Sequence, residues 1–361
     1  MGKTQELRYY TLDAILRVKA HYNVIIGERS NGKTFAAIRY AVEQYFKTGK
    51  EFAIIRRWHE DIRGRRASVI FSGLNASGYI ETLTQDYDSI SYYAGKFYPA
   101  RYNGELGKFV RASKPCGYAF SLSEMEHDKS TSYPDVTTII FDEFICHGAY
   151  LIDEFVLFTN TLSTIIRQRN DVKVFMLGNT INKFCPYFKE MGLKRVETQT
   201  QGTIDTYKYG KLKIAVERCS PLNESKPSDV YFAFDNPKLK MITGGEWELN
   251  VYPHLPCKYK PKDILFIYFI EFSGHVLQAE IVQTQDNNTF TFIHNKTTPI
   301  KKETDILVTP ECDESPYHFH SLHTAQNKIH AKIISFFKFK KVFYQDNEVG
   351  EIVRNFLINT K

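Results

Sequence analysis

Apolar positions in the first half of the chain follow two alternating patterns. Short runs of apolar and β-branched residues are typical of buried strands, whereas apolar residues spaced three and four apart are typical of helices that face a core. Helix-like segments separate runs of the strand type, which occur at residues 23–26, 51–56, 118–122, 137–141 and 172–177. This alternation predicts a mostly parallel α/β sheet between about residues 23 and 188.

Other parts of the chain have different patterns of polar and apolar residues. Residues 58–117 are polar and aromatic, and the glycine-marked stretch AGKFYPARYNGELGKFVRAS predicts a β-ribbon within them. From Trp247 onward, the stretch YFIEFSGHVLQAEIVQTQDNNTFTFI predicts two or three strands, and helix-like stretches follow at 321–336 and 348–358. The polar, proline-containing piece SPLNESKPSD predicts a linker between the two halves. We therefore expect three parts, residues 1–195, 196–245 and 246–361.

Composition narrows the class of protein. With 361 residues, 43% of them hydrophobic, the chain is large enough for two cores, and its net charge of +6 is compatible with nucleic acid without requiring it. The six cysteines are far apart and form no C-x-x-C pair, which favours a reducing compartment over a disulfide framework. The N-terminus has no signal-like apolar stretch, and the longest apolar run, residues 264–270, is too short to span a bilayer. We expect a soluble cytoplasmic protein without membrane partners.

The stretch GERSNGKT fits the phosphate-loop pattern G-x-x-x-x-G-K-[ST]. An apolar strand precedes it and a helix-like segment that ends at Gly49 follows it, so free backbone N–H groups at a helix start would face an anion. Lys33 would reach the β- and γ-phosphates of ATP, and the Thr34 hydroxyl would bind Mg²⁺. The alternative is a surface turn with a chance Gly-Lys-Thr. The predicted nucleotide-binding residues are Gly27, Glu28, Arg29, Ser30, Asn31, Gly32, Lys33 and Thr34, with Asp142 added below.

The run TTIIFDE predicts a buried strand that ends in two acids, as in a Walker B strand. The carboxyl end of such a strand opens at the edge of the sheet where ligands bind. Asp142 would hold Mg²⁺, usually through water, and Glu143 would act as general base toward the attacking water. The alternative is a structural strand with exposed acids at its tip.

Three further signals are weaker. Asn179 ends the apolar strand KVFMLGN, where a polar sensor of the γ-phosphate often lies, although Gly-Asn is also an ordinary turn. Arg167 and Arg169 end a helix-like segment, and each fits either stabilisation of a transferring phosphoryl group or a solvated surface position. A zinc site could be formed by a cluster whose spacing matches no standard site, namely Cys312, His318, His320 and His323.

Taken together, these motifs resemble the DNA-packaging ATPases of phi29-like bacteriophages. The resemblance covers roughly residues 10–190 and is carried by the stretches NVIIGERSNGKTFA, EFAIIRRWHED, KSTSYPDVTTIIFDEFI, TIIRQRNDVKVFMLGN and CPYF. It includes Arg29, two residues after the first glycine of the loop. His59 departs from the pattern, because relatives have a lysine at that place, and no role is assigned to it.

The resemblance implies a fold and an assembly. The fold would be a P-loop ATPase of the additional-strand, catalytic-glutamate type (RecA/FtsK-like), followed by a small linker and a C-terminal α+β domain resembling an RNase H-like nuclease without its active site. The protein would form a ring, expected to be a pentamer, that moves double-stranded DNA into a procapsid. Its further partners would be the portal and a structural packaging RNA. It would act in the host cytoplasm at the portal vertex and be absent from the mature virion.

The resemblance also implies residue roles. Arg56 would contact or restrain the catalytic Glu143, and Asn179 would be the sensor. Lys129 and Arg167 would act in trans on the neighbour's ATP. Because a packaging motor must move any DNA sequence, contacts with phosphates suit it better than contacts with bases. The candidates for such contacts lie on the basic insertion and are Lys96, Arg101, Lys108 and Arg111.

Three other classes of protein compete with this interpretation. A helicase or other cellular motor would share the ATPase core but needs strand-separation motifs that are not apparent. A GTPase would need Asn-Lys-x-Asp, whereas residues 182–185 read NKFC. A terminase with an active nuclease needs clustered acids on its C-terminal strands; Glu271 and Glu280 are present without an aspartate cluster, so no DNA cleavage is expected.

Overall fold

The chain forms two compact units, residues 1–247 and 248–361. The structure is a computed structural model, and the residues that it describes are 9–127, 131–146, 150–220, 247, 250–255, 257–285, 287–301, 303–311 and 315–360. Within this described part, no helix is both long and apolar enough to cross a bilayer.

The described part of the first unit contains a ten-stranded sheet. Its strands are β1 Tyr22–Gly27, β2 Glu51–Arg56, β3 Ser89–Tyr93, β4 Lys96–Asn103, β5 Lys108–Arg111, β6 Gly117–Ser121, β7 Val136–Asp142, β8 Lys173–Asn179, β9 Thr203–Tyr209 and β10 Leu212–Arg218. The order is β3-β4-β6-β2-β7-β8-β1-β10-β9, with β5 paired to β4, and the strands from β6 to β10 in this order are parallel. All five strands predicted between residues 23 and 188 are confirmed, with ends that differ by at most two residues.

The middle strands are apolar along their whole length because both faces of the sheet are covered. On β7, Ile139 and Phe141 belong to one apolar core, and Ile140 belongs to the core on the opposite face. Strands buried on both faces have continuous apolar runs rather than an alternation of apolar and polar residues. β8 lies between β1 and β7, the strands that carry the phosphate loop and the paired acids. This is the additional strand that the resemblance implies.

Helices of 5 to 16 residues connect the strands of the first unit. They are α1 Asp13–Arg17, α2 Lys33–Thr48, α3 Gly64–Ser68, α4 Ser72–Ala76, α5 Glu154–Ile166 and α6 Pro186–Glu190, with 3₁₀ turns at His59–Asp61, Ile80–Thr82 and Leu122–His127. α2 begins after Gly32, which has a φ of 91°, and ends at Gly49, which has a φ of 71°. Both values lie in the left-handed region that glycine adopts at little cost.

One sequence-based assignment in this unit is confirmed and one is corrected. The β-ribbon predicted in the insertion is confirmed by β4 and β5, and short helices and 3₁₀ turns lie between residues 59 and 82. The linker predicted for residues 196–245 does not begin at 196, because β10 pairs in parallel with β1 and β9 pairs with β10 at the edge of the same sheet. Local polarity suggested a linker, whereas long-range pairing decides the fold of this segment. Residues 221–245 of the predicted linker lie outside the described residues.

The second unit has a smaller mixed sheet in its described part. Its strands are β11 Ile264–Phe272, β12 His275–Gln283, β13 Thr289–Asn295, β14 Leu307–Val308, β15 His318–Phe319 and β16 Val342–Tyr344, in the order β15-β14-β11-β12-β13-β16. β11, β12 and β13 are antiparallel, which confirms the strands predicted there, and β14 is parallel to β11. The helices are α7 Lys328–Lys338 and α8 Asn347–Asn359. α7 begins seven residues later than the pattern predicted, because the Asn327 side chain caps it by accepting a hydrogen bond from the N–H of His330.

Candidate nucleotide-binding site

A cleft of about 660 Å³ lies at the carboxyl ends of the parallel strands of the first unit. Residues 29–35, from the phosphate loop and the start of α2, form one side of this cleft, and the ends of β7 and β8 form another. Trp58 and Asp61, which follow β2, also line it. Polar side chains therefore converge where the carboxyl ends of parallel strands meet, which is the usual place for a ligand in such a sheet.

Close packing fixes the phosphate loop on both sides. A Cβ atom at Gly27 would lie 2.8 Å from Cβ of Cys219 and 2.9 Å from Nδ2 of Asn31, so only glycine fits there. The carbonyl oxygen of Asn31 accepts a hydrogen bond of 2.9 Å from the N–H of Tyr10. The loop then enters α2 through Gly32, so the N–H groups of the first helical turn face the cleft.

Lys33 lies buried inside this loop. Its Nζ atom donates to the carbonyl oxygen of Glu28 at 2.6 Å, to Oδ1 of Asn31 at 3.0 Å and to Oδ1 of Asn179 at 3.2 Å. Burial lowers the pKa of Lys33 to about 8, which outweighs the smaller opposing effect of nearby acidic groups. The ammonium is thus held by neutral oxygens, and the charged oxygens of a phosphate would stabilise it more strongly.

The two acids at the end of β7 lie beside the start of α2. The Thr34 hydroxyl donates to Oδ1 of Asp142 at 3.1 Å. Arg56 bridges both acids, because Nη2 lies 2.7 Å from Oδ2 of Asp142 and Nη1 lies 2.7 Å from Oε2 of Glu143. Asp142 is buried, whereas the Glu143 side chain is 63% exposed. A hydroxyl and a carboxylate at this distance are oxygen donors of the kind that Mg²⁺ prefers, so the residues present fit that ion.

Glu143 has a strained backbone, with a φ of 61°. Left-handed conformations are uncommon for residues other than glycine and persist where surrounding contacts hold them. Here the N–H of Glu143 donates to Oδ1 of Asp142 at 3.1 Å, and the N–H of Phe144 donates to the carbonyl oxygen of Leu177 at 3.2 Å. Arg57 donates to the carbonyl oxygens of both Glu143 and Phe144, at 3.3 and 2.8 Å.

Three further residues support the site, and the sequence assigned a role to none of them: Arg57, Glu154 and Tyr187. Arg57 was visible as the second of two arginines in EFAIIRRWHED, and Tyr187 lies in CPYF. Glu154 carried no signal, because an acid at the start of a helix is normally a solvated residue that favours the helix dipole. In the structure it is buried and accepts hydrogen bonds from the other two side chains.

The family of the chain follows from its sequence. A model described as "Podovirus DNA encapsidation protein (Gp16)" matches residues 4–200, more than half of the 361 residues. The chain belongs to this family. The membership makes it a packaging protein rather than a cellular motor unconnected with a capsid, and the P-loop fold of its first unit agrees with that class.

Individual relatives of this encapsidation protein are distant. A DNA packaging protein of Bacillus phage PZA is 23% identical over 321 residues, which cover 85% of each chain. A DNA packaging protein of Bacillus phage B103 is 28% identical over 174 residues, which span 47% of this chain and only about half, 48%, of the relative. Among solved structures, the bacteriophage Phi-29 viral genome packaging motor assembly matches 98% of this chain and 100% of its own, with a TM-score of 0.56 and 19% identity. That likeness shows a shared fold.

The remaining predicted residues of the encapsidation protein divide by location. Asn179 lies at the end of β8, and its Oδ1 atom accepts a hydrogen bond of 3.2 Å from Nζ of Lys33. Arg167 lies directly after α5, exposed, and donates to the carbonyl oxygen of Thr131 at 3.2 Å. Arg169 is held within its own chain by the carbonyl oxygens of Tyr133 and Ile165. Lys129 lies outside the described residues.

The predicted DNA contacts lie on the ribbon of β3, β4 and β5, and all four side chains are exposed. Two of them have intramolecular partners: Arg101 donates to the carbonyl oxygen of Gln85 at 2.7 Å, and Arg111 donates to Oγ of Ser91 at 2.8 Å. The cluster considered as a possible zinc site is not assembled among the described residues, which contain no group of three His, Cys, Asp or Glu placed to hold a metal. Its Cys312 lies outside the described residues.

Above about pH 8, the protein should take up protons when it binds nucleotide. Phosphates stabilise the Lys33 ammonium and raise its pKa, so the protein gains a proton on binding wherever free Lys33 is partly neutral. Below pH 8 the ammonium is already charged; above it, affinity for ATP should fall by up to about tenfold per pH unit. Calorimetric titration with ATP and Mg²⁺ at pH 8.5, in two buffers of different ionisation enthalpy, measures the uptake.

The control for this titration is Lys33→Arg, because arginine stays charged at every accessible pH. The heat of ATP binding to Lys33→Arg should be the same in both buffers after the heat of dilution is subtracted, because this variant takes up no proton. Equal heats for the wild-type protein would contradict the prediction.

Proposed function

We propose that the protein is an ATPase that couples hydrolysis to the movement of double-stranded DNA into a viral procapsid. The observation that carries the proposal is the meeting of Lys33, Thr34, Asp142 and Glu143 in one cleft of a chain that belongs to the DNA encapsidation family. A loop that binds phosphate and a carboxylate that can accept a proton are the two parts that ATP hydrolysis needs.

Each residue of the cleft has a distinct task in this proposal. The loop N–H groups and Lys33 bind the phosphates, while Thr34 and Asp142 would hold Mg²⁺. That ion, when bound, neutralises charge that develops on the phosphoryl group. Glu143 orients the attacking water and accepts its proton. Because Arg56 binds the Glu143 carboxylate at 2.7 Å, release of that contact would free the carboxylate to reach the water.

The assembly is proposed on the family and on what its relatives are. The similar phage protein was solved in a "viral genome packaging motor assembly", and a DNA translocase must surround or grip its duplex. We propose a ring, expected to be a pentamer, that contacts the portal of the procapsid and a structural packaging RNA. The protein would act transiently at the portal vertex in the host cytoplasm and would not stay in the mature virion.

For the second unit we propose a degenerate RNase H-like domain without nuclease activity. The support is a central strand, β11, with antiparallel neighbours on one side and the parallel β14 and β15 on the other. Metal-dependent cleavage needs several carboxylates that converge on ions about 4 Å apart. Instead, Glu280 is buried and accepts hydrogen bonds from Tyr259 at 2.6 Å and Gln278 at 2.9 Å, and no convergent acid cluster exists among the described residues.

Mutation should separate the binding of ATP, which depends on Lys33, from its hydrolysis, which depends on Glu143. Lys33→Ala should abolish ATP binding, because it removes the charge that neutralises the phosphates in the ground state. Glu143→Gln should keep ATP binding and lower hydrolysis by about 10²–10⁴, the usual cost of losing a positioned base. Binding of a fluorescent ATP analogue and release of phosphate measure the two effects. Near wild-type hydrolysis by Glu143→Gln would show that the base lies elsewhere.

Arg167 is proposed to act on the neighbouring subunit's ATP, on grounds of topology. α5 begins near the Glu143 end of β7 and runs back to the start of that strand, where Arg167 contacts Thr131. A strand of seven residues is about 20 Å long. Arg167 therefore lies near the amino end of β7, whereas its own Asp142 lies at the carboxyl end of that strand. This separation is too large for Arg167 to touch a nucleotide bound beside Asp142.

Mixed rings test the role of Arg167. Arg167→Ala should bind ATP nearly normally and lose hydrolysis by about 10³–10⁵, as arginines supplied in trans do in other P-loop systems. Glu143→Gln should be inactive as well. Mixing the two variants should restore partial phosphate release, because some interfaces then pair an intact Glu143 site with an intact Arg167. Failure to recover activity, while labelled subunits demonstrably exchange, would place Arg167 in a structural role. Arg169→Ala is the control, since that side chain is held within its own chain.

DNA binding by the ribbon should be weak, independent of sequence and strongly dependent on salt. Each lysine that neutralises a phosphate releases about one counterion, so Lys108→Ala should reduce the slope of log affinity against log salt by about 1. Titration of a fluorescent duplex at several salt concentrations measures this slope. Lys47→Ala, which removes an exposed lysine from α2, is the matched control.

In the presence of Mg²⁺ the duplex should remain uncut. An affinity for duplex DNA that does not change with salt concentration, or a strong preference for one sequence, would contradict the prediction of weak, nonspecific binding.

A further inference from the structure

Arg57, which lines the nucleotide cleft, forms a buried ion pair with Glu154. Nε of Arg57 lies 2.7 Å from Oε2 of Glu154, and Nη2 lies 2.9 Å from Oε1, so the guanidinium binds the carboxylate through two parallel contacts. The side chains are only 6% and 2% exposed. Residue 57 directly follows β2, and residue 154 begins α5, so the pair joins elements that are 97 residues apart in the sequence.

The other hydrogen bonds of the Arg57 guanidinium go to the segment that directly follows β7. The guanidinium also donates to the carbonyl oxygen of Phe144 at 2.8 Å and to that of Glu143 at 3.3 Å. These are the first two carbonyl groups after Asp142. The contacts fix the chain where Glu143 adopts its left-handed φ of 61°, a conformation that persists only when its surroundings determine it.

The Glu154 carboxylate is in turn fully satisfied. Its Oε1 atom accepts a hydrogen bond of 2.9 Å from the Tyr187 hydroxyl, and its Oε2 atom accepts one of 2.8 Å from the N–H of Leu151. The ring of Tyr150 lies 4.9 Å from the Arg57 guanidinium carbon. A buried ion pair often adds little net stability compared with apolar residues of the same size, but removing one partner is costly. Such a network is therefore better suited to fixing a geometry than to raising stability.

We propose that Arg57 and Glu154 are positioning residues for the catalytic base. Arg57 holds the backbone on both sides of the Glu143–Phe144 peptide, and Glu154 and Tyr187 hold Arg57. The pair thus sets the direction in which the Glu143 side chain leaves the chain, toward the water that attacks the γ-phosphate. Arg56 acts differently, because it binds the carboxylates of Asp142 and Glu143 themselves. This inference rests on the proposed role of Glu143 in ATP hydrolysis.

The decisive variant is Glu154→Gln, which keeps the size of the side chain but removes its charge and replaces one of its two acceptor oxygens with an NH₂ donor. Misplacement of a reacting group by about 1 Å can cost 10²-fold in rate, so kcat for ATP should fall by about 10- to 100-fold. The Kd for a fluorescent ATP analogue should change less than about twofold, because the phosphate loop makes no use of the pair. Tyr187→Phe, which removes one hydrogen bond to Glu154, should lower kcat by a few-fold.

A second arm separates positioning from general destabilisation. In the Glu143→Gln background, Glu154→Gln should cause no further loss of residual hydrolysis, since a residue that acts through Glu143 has no effect once Glu143 is gone. The matched control is Tyr252→Phe, which removes a tyrosine bond of 2.6 Å to the buried Glu351 in the second unit and should leave kcat unchanged.

Two results would overturn the inference while the wild-type protein hydrolyses ATP. One is a Glu154→Gln variant with wild-type kcat. The other is an equal loss caused by Glu154→Gln with and without Glu143. Should Glu154→Gln not fold, Tyr187→Phe decides, and an unchanged kcat overturns the inference. A wild-type protein that binds DNA and ATP but does not hydrolyse ATP would overturn the proposed function itself.

Discussion

Charge held out of water at one edge of the first sheet is the constraint on which the site depends. Lys33, Arg57, Asp142 and Glu154 are all buried there, and burial of charge is costly without partners. Arg57 is paired with Glu154, and Asp142 is paired with Arg56. Lys33 instead donates to carbonyl and amide oxygens, and its pKa is lowered. A phosphate supplies the negative charge that would complete this arrangement, so the sheet edge is electrostatically prepared for one ligand class.

The two arginines after Ile55 divide the work because neighbouring residues at the end of a strand point to opposite sides. Arg56 contacts the side chains of the two acids, whereas Arg57 contacts the backbone that follows Asp142 and the first residue of α5. One dipeptide therefore controls both the carboxylate of Glu143 and the chain that carries it. Replacing either arginine by lysine would keep the charge but lose the planar fork that makes two contacts at once.

The sequence allowed prediction of those parts of the molecule that local chemistry determines. Strands buried on both faces have continuous apolar runs, so β1, β2, β7 and β8 were predictable, and the phosphate loop and paired acids have fixed local spacings. β10 was not, because its place beside β1 depends on pairing between distant segments. The same holds for the pairing of Arg57 with Glu154, because only the fold brings these residues, 97 positions apart, to 2.7 Å. Roles proposed for residues in other subunits stay predictions, since one chain contains no interface.

α5 connects the residue that positions the base of its own subunit with the arginine proposed to act on the neighbouring subunit. Its thirteen residues span about 18 Å, with Glu154 at the start and Arg167 directly after the last turn. The start is bonded through Arg57 to the backbone of the subunit's own Glu143. The end presents the arginine proposed for the neighbour's ATP. A helix is stiff over this length, so displacement of the Glu143 segment by the chemistry of one subunit would also displace the group offered to the next. Ordered firing around a ring then needs no separate relay, because one rigid element would belong to both sites.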